Sequence, residues 1–170
     1  MSETKLIGAF GLRADGKGCS TWETAGVFRL SEGIYEVADP THPNSDKDLE
    51  RMGRFRASTL DEVLELLRGA AQRFQFAHLP HVHEARKRIA LAWDEFNEEW
   101  ADLDQGEGYE TAYAKNEPEI EKIEAPLRAA SVEFKKGWIQ PEHWDALIEK
   151  MRHQDAEASL TDAAPAPMPF

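Results

Sequence analysis

Val27-Phe-Arg-Leu-Ser-Glu-Gly33-Ile-Tyr-Glu-Val-Ala38 is the stretch on which the fold class turns. Two short runs, Val27–Leu30 and Ile34–Ala38, flank Ser31-Glu32-Gly33, with glycine where a positive φ is called for. This arrangement predicts a β-hairpin. Ahead of it, Lys5–Leu12 is an apolar, glycine-containing run, expected as a strand with Leu6, Phe10 and Leu12 on one side of its pleat. Behind it, residues 39–46 hold two prolines and several turn formers and read as a loop, and Gly53–Ala57 alternates as a further strand.

Ser58 then opens a helix, its hydroxyl expected as the cap, with Asp61 and Glu62 well placed against the positive helix end. Leu60, Val63, Leu64, Leu67, Ala71 and Phe74 form one apolar stripe at helical spacing. After Pro80 the pattern stays helical. Val82, Ala85, Ile89, Trp93, Phe96, Trp100 and Leu103 share a face, and Gln105–Gly108 interrupts it. Ile120, Ile123, Leu127, Ala130 and Phe134 then alternate at spacings of three and four, as the seam of a helical pair requires. Pro126 is expected to kink that helix or to start its second part, and Gly137 to end it. Pro141 is expected as the first residue of a last helix carrying Trp144, Leu147, Ile148 and Met151. The fold class is therefore α+β. An N-terminal antiparallel sheet of three or four strands is covered by one helix (residues 1–76), a region of about three helices follows (77–154), and a disordered Ala- and Pro-rich tail closes the chain (155–170).

Composition narrows the function classes. The chain has 170 residues, enough for one ordinary domain or two small ones. With one cysteine, Cys19, no internal disulfide is possible, which fits a reducing compartment. There is no long apolar run to span a membrane and no signal-like start, so a cytoplasmic location is expected. The net charge of −12 is segregated. Twelve acidic residues between Asp94 and Glu124 face only Lys115 and Lys122, whereas Arg51–Arg88 is rich in arginine. Such a field repels nucleic acid and attracts basic surfaces.

Candidate sites follow from these patterns. Glu95, Glu98, Glu99, Trp100, Asp102 and Asp104 make up the predicted partner-binding surface: a row of carboxylates imitating a nucleic-acid backbone, with one tryptophan as an anchor. The plainer reading of the row is a solvated helix face. His78, His81 and His83 put three imidazoles within six residues, the composition of a metal site if the chain there is extended, although no second ligand pair completes it. Gly11-Leu-Arg-Ala-Asp-Gly16-Lys17-Gly18 imitates a phosphate-binding loop, but Gly18 stands where Ser or Thr must hold magnesium, so an Asp-Gly turn is expected. Arg54 and Arg56 flank Phe55 in the pattern of a single-strand nucleic-acid platform, yet an exposed strand face explains them. Neither Cys19 nor Ser20 lies in a nucleophile motif. No cofactor and no catalytic residue is called for.

The expectation is a non-enzymatic protein whose acidic helices bind a basic site on a larger partner, such as a nucleic-acid-binding protein. It would inhibit that partner in the manner of mobile-element inhibitors and would not itself bind nucleic acid. The alternatives are a metal- or small-molecule-binding protein using the histidines, and a helical assembly or chaperone-like subunit.

Overall fold

The computed structural model describes residues 4–16, 23–31, 33–39, 54–100 and 107–162. The chain divides into two compact units, one of residues 1–75 with 139–170 and the other of residues 76–138.

The first unit is built on four antiparallel strands in sequential order: β1 (Lys5–Gly11), β2 (Thr24–Ser31), β3 (Ile34–Ala38) and β4 (Arg54–Ala57). The β2–β3 hairpin turns through Gly33, whose φ of 70° is the left-handed conformation that favours glycine. Ala25, Val27, Arg29, Tyr35, Val37 and Ala57 point to the buried face.

In β1 the expected alternation fails at one residue. Leu6 pairs with Phe28 and Gly8 with Val27, so Ile7 is an extra residue in a β-bulge. The bulge shifts the pleat: Ile7, Phe10 and Leu12 are buried, while Leu6 is 53% exposed instead of joining the core.

Helix α1 (Leu60–Ala77) buries Val63, Leu64, Leu67, Ala70, Ala71 and Phe74 at helical spacing. Its cap lies one residue later than the sequence suggests. The Glu62 amide donates to Thr59 Oγ1 (3.2 Å), and Glu62 Oε2 accepts from the Ser58 amide (2.6 Å). Helix α4 (His143–Asp162) packs on β1. Trp144 meets Phe10 edge-on with ring centroids 5.3 Å apart and donates its indole N–H to the Gly11 carbonyl (3.2 Å). Met151 lies over Gly8, where an added Cβ would stand 3.5 Å from the methionine and 3.0 Å from the Phe10 ring.

Two expectations about this last helix need correction. It starts at His143, with the Pro141 carbonyl accepting from the Trp144 amide, and does not start at Pro141. It also continues well beyond Asp155, where the disordered tail was expected to begin, and reaches Asp162 because its last two turns hold carboxylates that a buried arginine requires. By its contacts α4 falls in one unit with the sheet and α1, so the helical region is divided differently from the sequence-based boundaries.

The second unit is a helical hairpin of α2 (Pro80–Trp100) and α3 (Glu107–Lys136). Pro80 occupies the first helical position, where its missing N–H costs nothing. The two helices run antiparallel: Phe76 meets Phe134 near one end (5.6 Å), and the Asn116 amide reaches the Ala92 carbonyl (3.5 Å) further along. α3 passes through Pro118 and Pro126 as one helix.

Candidate partner-binding surface

Successive residues of α2 are about 100° apart around its axis. Val82, Ile89, Trp93 and Phe96 make the seam, and Asp94, Glu95 and Glu98 therefore fall on the opposite arc, where all three are exposed. No ion pair engages these three carboxylates among the described residues. Glu98 and Glu99 also occupy the last turn of α2, the negative end of the helix dipole, where no basic residue is present. Carboxylates there cost about 0.3–1 kcal/mol each at low salt, so helix stability does not account for them.

The acidic stretch of α3 is different. Glu119 pairs with Lys122 at 2.6 Å, and Arg128, which lies just outside the counted segment, bonds Glu121 and approaches Glu124 at 3.6 Å. The hydrogen bond with Glu121 and its charge hold the Arg128 pKa above its ordinary value. Among the described residues, the carboxylates of the Asp94–Glu124 segment that no ion pair engages are thus Asp94, Glu95 and Glu98 on α2 and Glu117 on α3. Asp102 and Asp104 lie outside the described residues, as do the side chains of Glu99 and Trp100.

The histidines do not converge. Because Pro80 begins a helix and not an extended segment, His81 and His83 stand about 200° apart around its axis, and His78 lies in the preceding turn. Among the described residues, no group of three or more His, Cys, Asp and Glu side chains is placed to hold a metal ion. The segment resembling a phosphate loop forms a turn: the Gly16 amide donates to the Arg13 carbonyl (3.0 Å), φ is 71°, and the His143 ring fills the space beside the glycine. Lys17, Gly18, Cys19 and Ser20 lie outside the described residues. In β4, Arg54 and Arg56 approach Glu36 on one sheet face, whereas Phe55 turns to the other, beneath the Arg73 guanidinium (5.8 Å). Arg73 also pairs with the buried Asp39.

The sequence reading missed a buried charge network in the first unit. The Arg29 side chain is 4% exposed, bonded to Asp155 at 2.6 Å and to Asp162 at 3.3 Å, and Tyr35 donates its hydroxyl to the other Asp155 oxygen (3.0 Å). Burial works against the Arg29 charge, but the hydrogen bond and attraction of Asp155 outweigh it and raise the pKa. Burial, followed by the Asp155 hydrogen bond and charge, pushes the Tyr35 pKa up. The signal for Arg29 was its two-residue spacing from Val27, which puts both on one face. Asp155 and Asp162 each take one of the two terminal guanidinium nitrogens, while the buried Nε has no hydrogen-bond partner among the described residues; pairing between β2 and α4 marks the group as architecture.

In comparisons with known proteins, no family model, no curated protein and no solved structure matches the chain. Among the described residues, no helix is long and apolar enough to cross a membrane.

Proposed function

We propose that this chain is a non-enzymatic, cytoplasmic interaction protein. Its acidic helical surface docks on the basic, nucleic-acid-binding site of a larger protein and inhibits it by occupying that site. The observation that supports this reading most directly is the trio Asp94, Glu95 and Glu98: exposed, without an ion-pair partner among the described residues, and on the arc of α2 facing away from α3. Lys122 and Arg128 offset Glu119, Glu121 and Glu124 on α3, whereas no ion pair among the described residues offsets Asp94, Glu95 and Glu98 on α2. A basic groove that normally holds phosphates would meet charges one helical turn apart, at Asp94 and Glu98, and gain long-range steering as well as contact.

The test is capture of partners from host lysate at low and moderate salt, followed by direct binding of the captured protein. Replacing Glu95, Glu98, Glu99 and Asp102 together by Gln or Asn is expected to weaken binding and flatten its dependence on salt, because screening acts only on charges that contribute. Nucleic acid should compete with the wild-type protein for the same site. If the neutralised variant binds with unchanged affinity and salt response, the acidic face is not the docking surface.

A further inference from the structure

Among the described residues of the second unit, Leu91 and Val132 are large apolar side chains more than half exposed, at 59% and 53%. Singly exposed apolar residues are ordinary on a protein surface, so their neighbours decide whether either has a use. Leu91 stands two residues from both Ile89 and Trp93, about 200° around the axis from each, and is therefore opposite the seam. Asp94 and Glu95 are its next neighbours on that face toward the C-terminus, and Glu98 follows one turn further. All three carboxylates are exposed, and no ion pair engages them among the described residues.

On the N-terminal side of Leu91, Lys87 is held by Glu84 at 3.2 Å, and Arg88 lines the flank shared with α3. Val132 has the opposite surroundings. Its neighbours one turn away on α3 are Arg128, Ala129, Lys135 and Lys136.

Free carboxylates alone suit a surface that mostly holds phosphates, as duplex-binding surfaces do. Single-strand nucleic-acid sites differ, since they set aromatic platforms for bases beside the cations that hold the backbone. We infer that Leu91 is the apolar anchor of the docking face, and that the partner it fits has an aromatic, base-binding pocket beside its cations, as a single-strand-binding groove has. Leu91 takes the place of a base, and Asp94 and Glu98 take those of phosphates. Burying Leu91 in such a pocket adds affinity that salt does not screen, whereas the carboxylates contribute the part that salt does screen. The role of Leu91 rests on the docking reading above, and separate variants test the two.

The probes are two labelled synthetic peptides of equal length and charge, one of lysine and tryptophan and the other of lysine and serine. Each is titrated with the full chain over a range of salt and read by fluorescence anisotropy. Wild type is expected to bind the tryptophan peptide about fivefold more tightly than the serine peptide. Leu91→Ala should bring that preference to within about twofold, with the salt dependence unchanged. Its helical circular dichroism should also be unchanged, since alanine is a good helix former and the site is exposed. Val132→Ala, which removes an equally exposed apolar group amid cations, should leave the preference intact. Replacing Asp94, Glu95 and Glu98 together by Asn and Gln should weaken both peptides alike and flatten the salt dependence. A preference absent from wild type, kept by Leu91→Ala, or lost equally in Val132→Ala overturns the role of Leu91, and leaves the docking reading standing where the neutralised variant still weakens. A neutralised variant that binds both peptides as wild type does overturns the docking reading, and the role of Leu91 with it.

Discussion

Replacing Asp155 by Ala should be among the most damaging single changes in the first unit, although the residue lies near the end of the last helix. The Arg29 guanidinium is almost wholly buried, with Asp155 bonded at 2.6 Å and 14% exposed. Truncating Asp155 leaves a buried cation facing only Asp162, which is 45% exposed and 3.3 Å away, and strips Tyr35 of its acceptor. Breaking a buried pair from one side costs roughly 3–5 kcal/mol, and the lower end, about 3 kcal/mol, applies because Asp162 remains. Asp162→Ala removes only a solvent-screened contact and should cost about 0.5 kcal/mol. Urea unfolding at neutral pH separates these values easily, since such units are stable by only about 5–15 kcal/mol. The pair should also be non-additive: Arg29→Met with Asp155→Leu removes both charges together and should be much less destabilising than the sum of the single changes. If Asp155→Ala costs no more than Asp162→Ala, or if the double change is simply additive, the buried pair does not hold α4 as argued.

Other consequences can be read in the same assays. Gly33→Ala should lose about 1 kcal/mol, from the left-handed φ alone, because nothing lies within 4 Å of the new methyl group. Gly16→Ala, at the same φ, must also displace the His143 ring and should lose more, part of which His143→Ala recovers on thermal unfolding. Tyr35 has its pKa raised on folding, so its contribution is fully present below about pH 10 and is lost as pH rises through the folded value. Tyr35→Phe should therefore flatten the alkaline end of the stability curve in a urea series. Trp144→Phe keeps a ring against Phe10 but orphans the Gly11 carbonyl, and a loss of about 1–3 kcal/mol is expected by denaturant titration.

Much of the secondary structure was legible because periodicity reports it directly. The stripe from Val63 to Phe74 and the hairpin around Gly33 follow from residue type and spacing, and both are present. The cap at Thr59 and the start of α4 at His143 moved by one or two residues, since neighbouring hydroxyls and turn carbonyls compete on nearly equal terms. The bulge at Ile7 could not be read. Leu6 and Ile7 are equally apolar, and only pairing with Phe28 and Val27 decides which one turns inward. The acidic surface was legible as composition but not as a field, because the reach of Arg128 back to Glu121 depends on one helix surface continuing through Pro126. The histidines were expected to converge only if the chain there were extended, and the helix from Pro80 decides otherwise: a two-residue spacing converges in a strand and diverges in a helix.

By itself, then, the sequence determined the class of the protein: a small antiparallel sheet with amphipathic helices, a segregated negative charge, and no complete catalytic motif. These are local properties, set by side-chain type at periods of two and 3.6 residues. Only the tertiary structure decided that α4 belongs to the sheet. Arg29 and Asp155 are 126 residues apart, and neither calls for the other until β2 turns that arginine inward and burial makes a carboxylate beside it necessary. Long-range pairing of this kind leaves no period in a sequence, because the energy that enforces it, the desolvation of a charge, exists only once the core has closed around it.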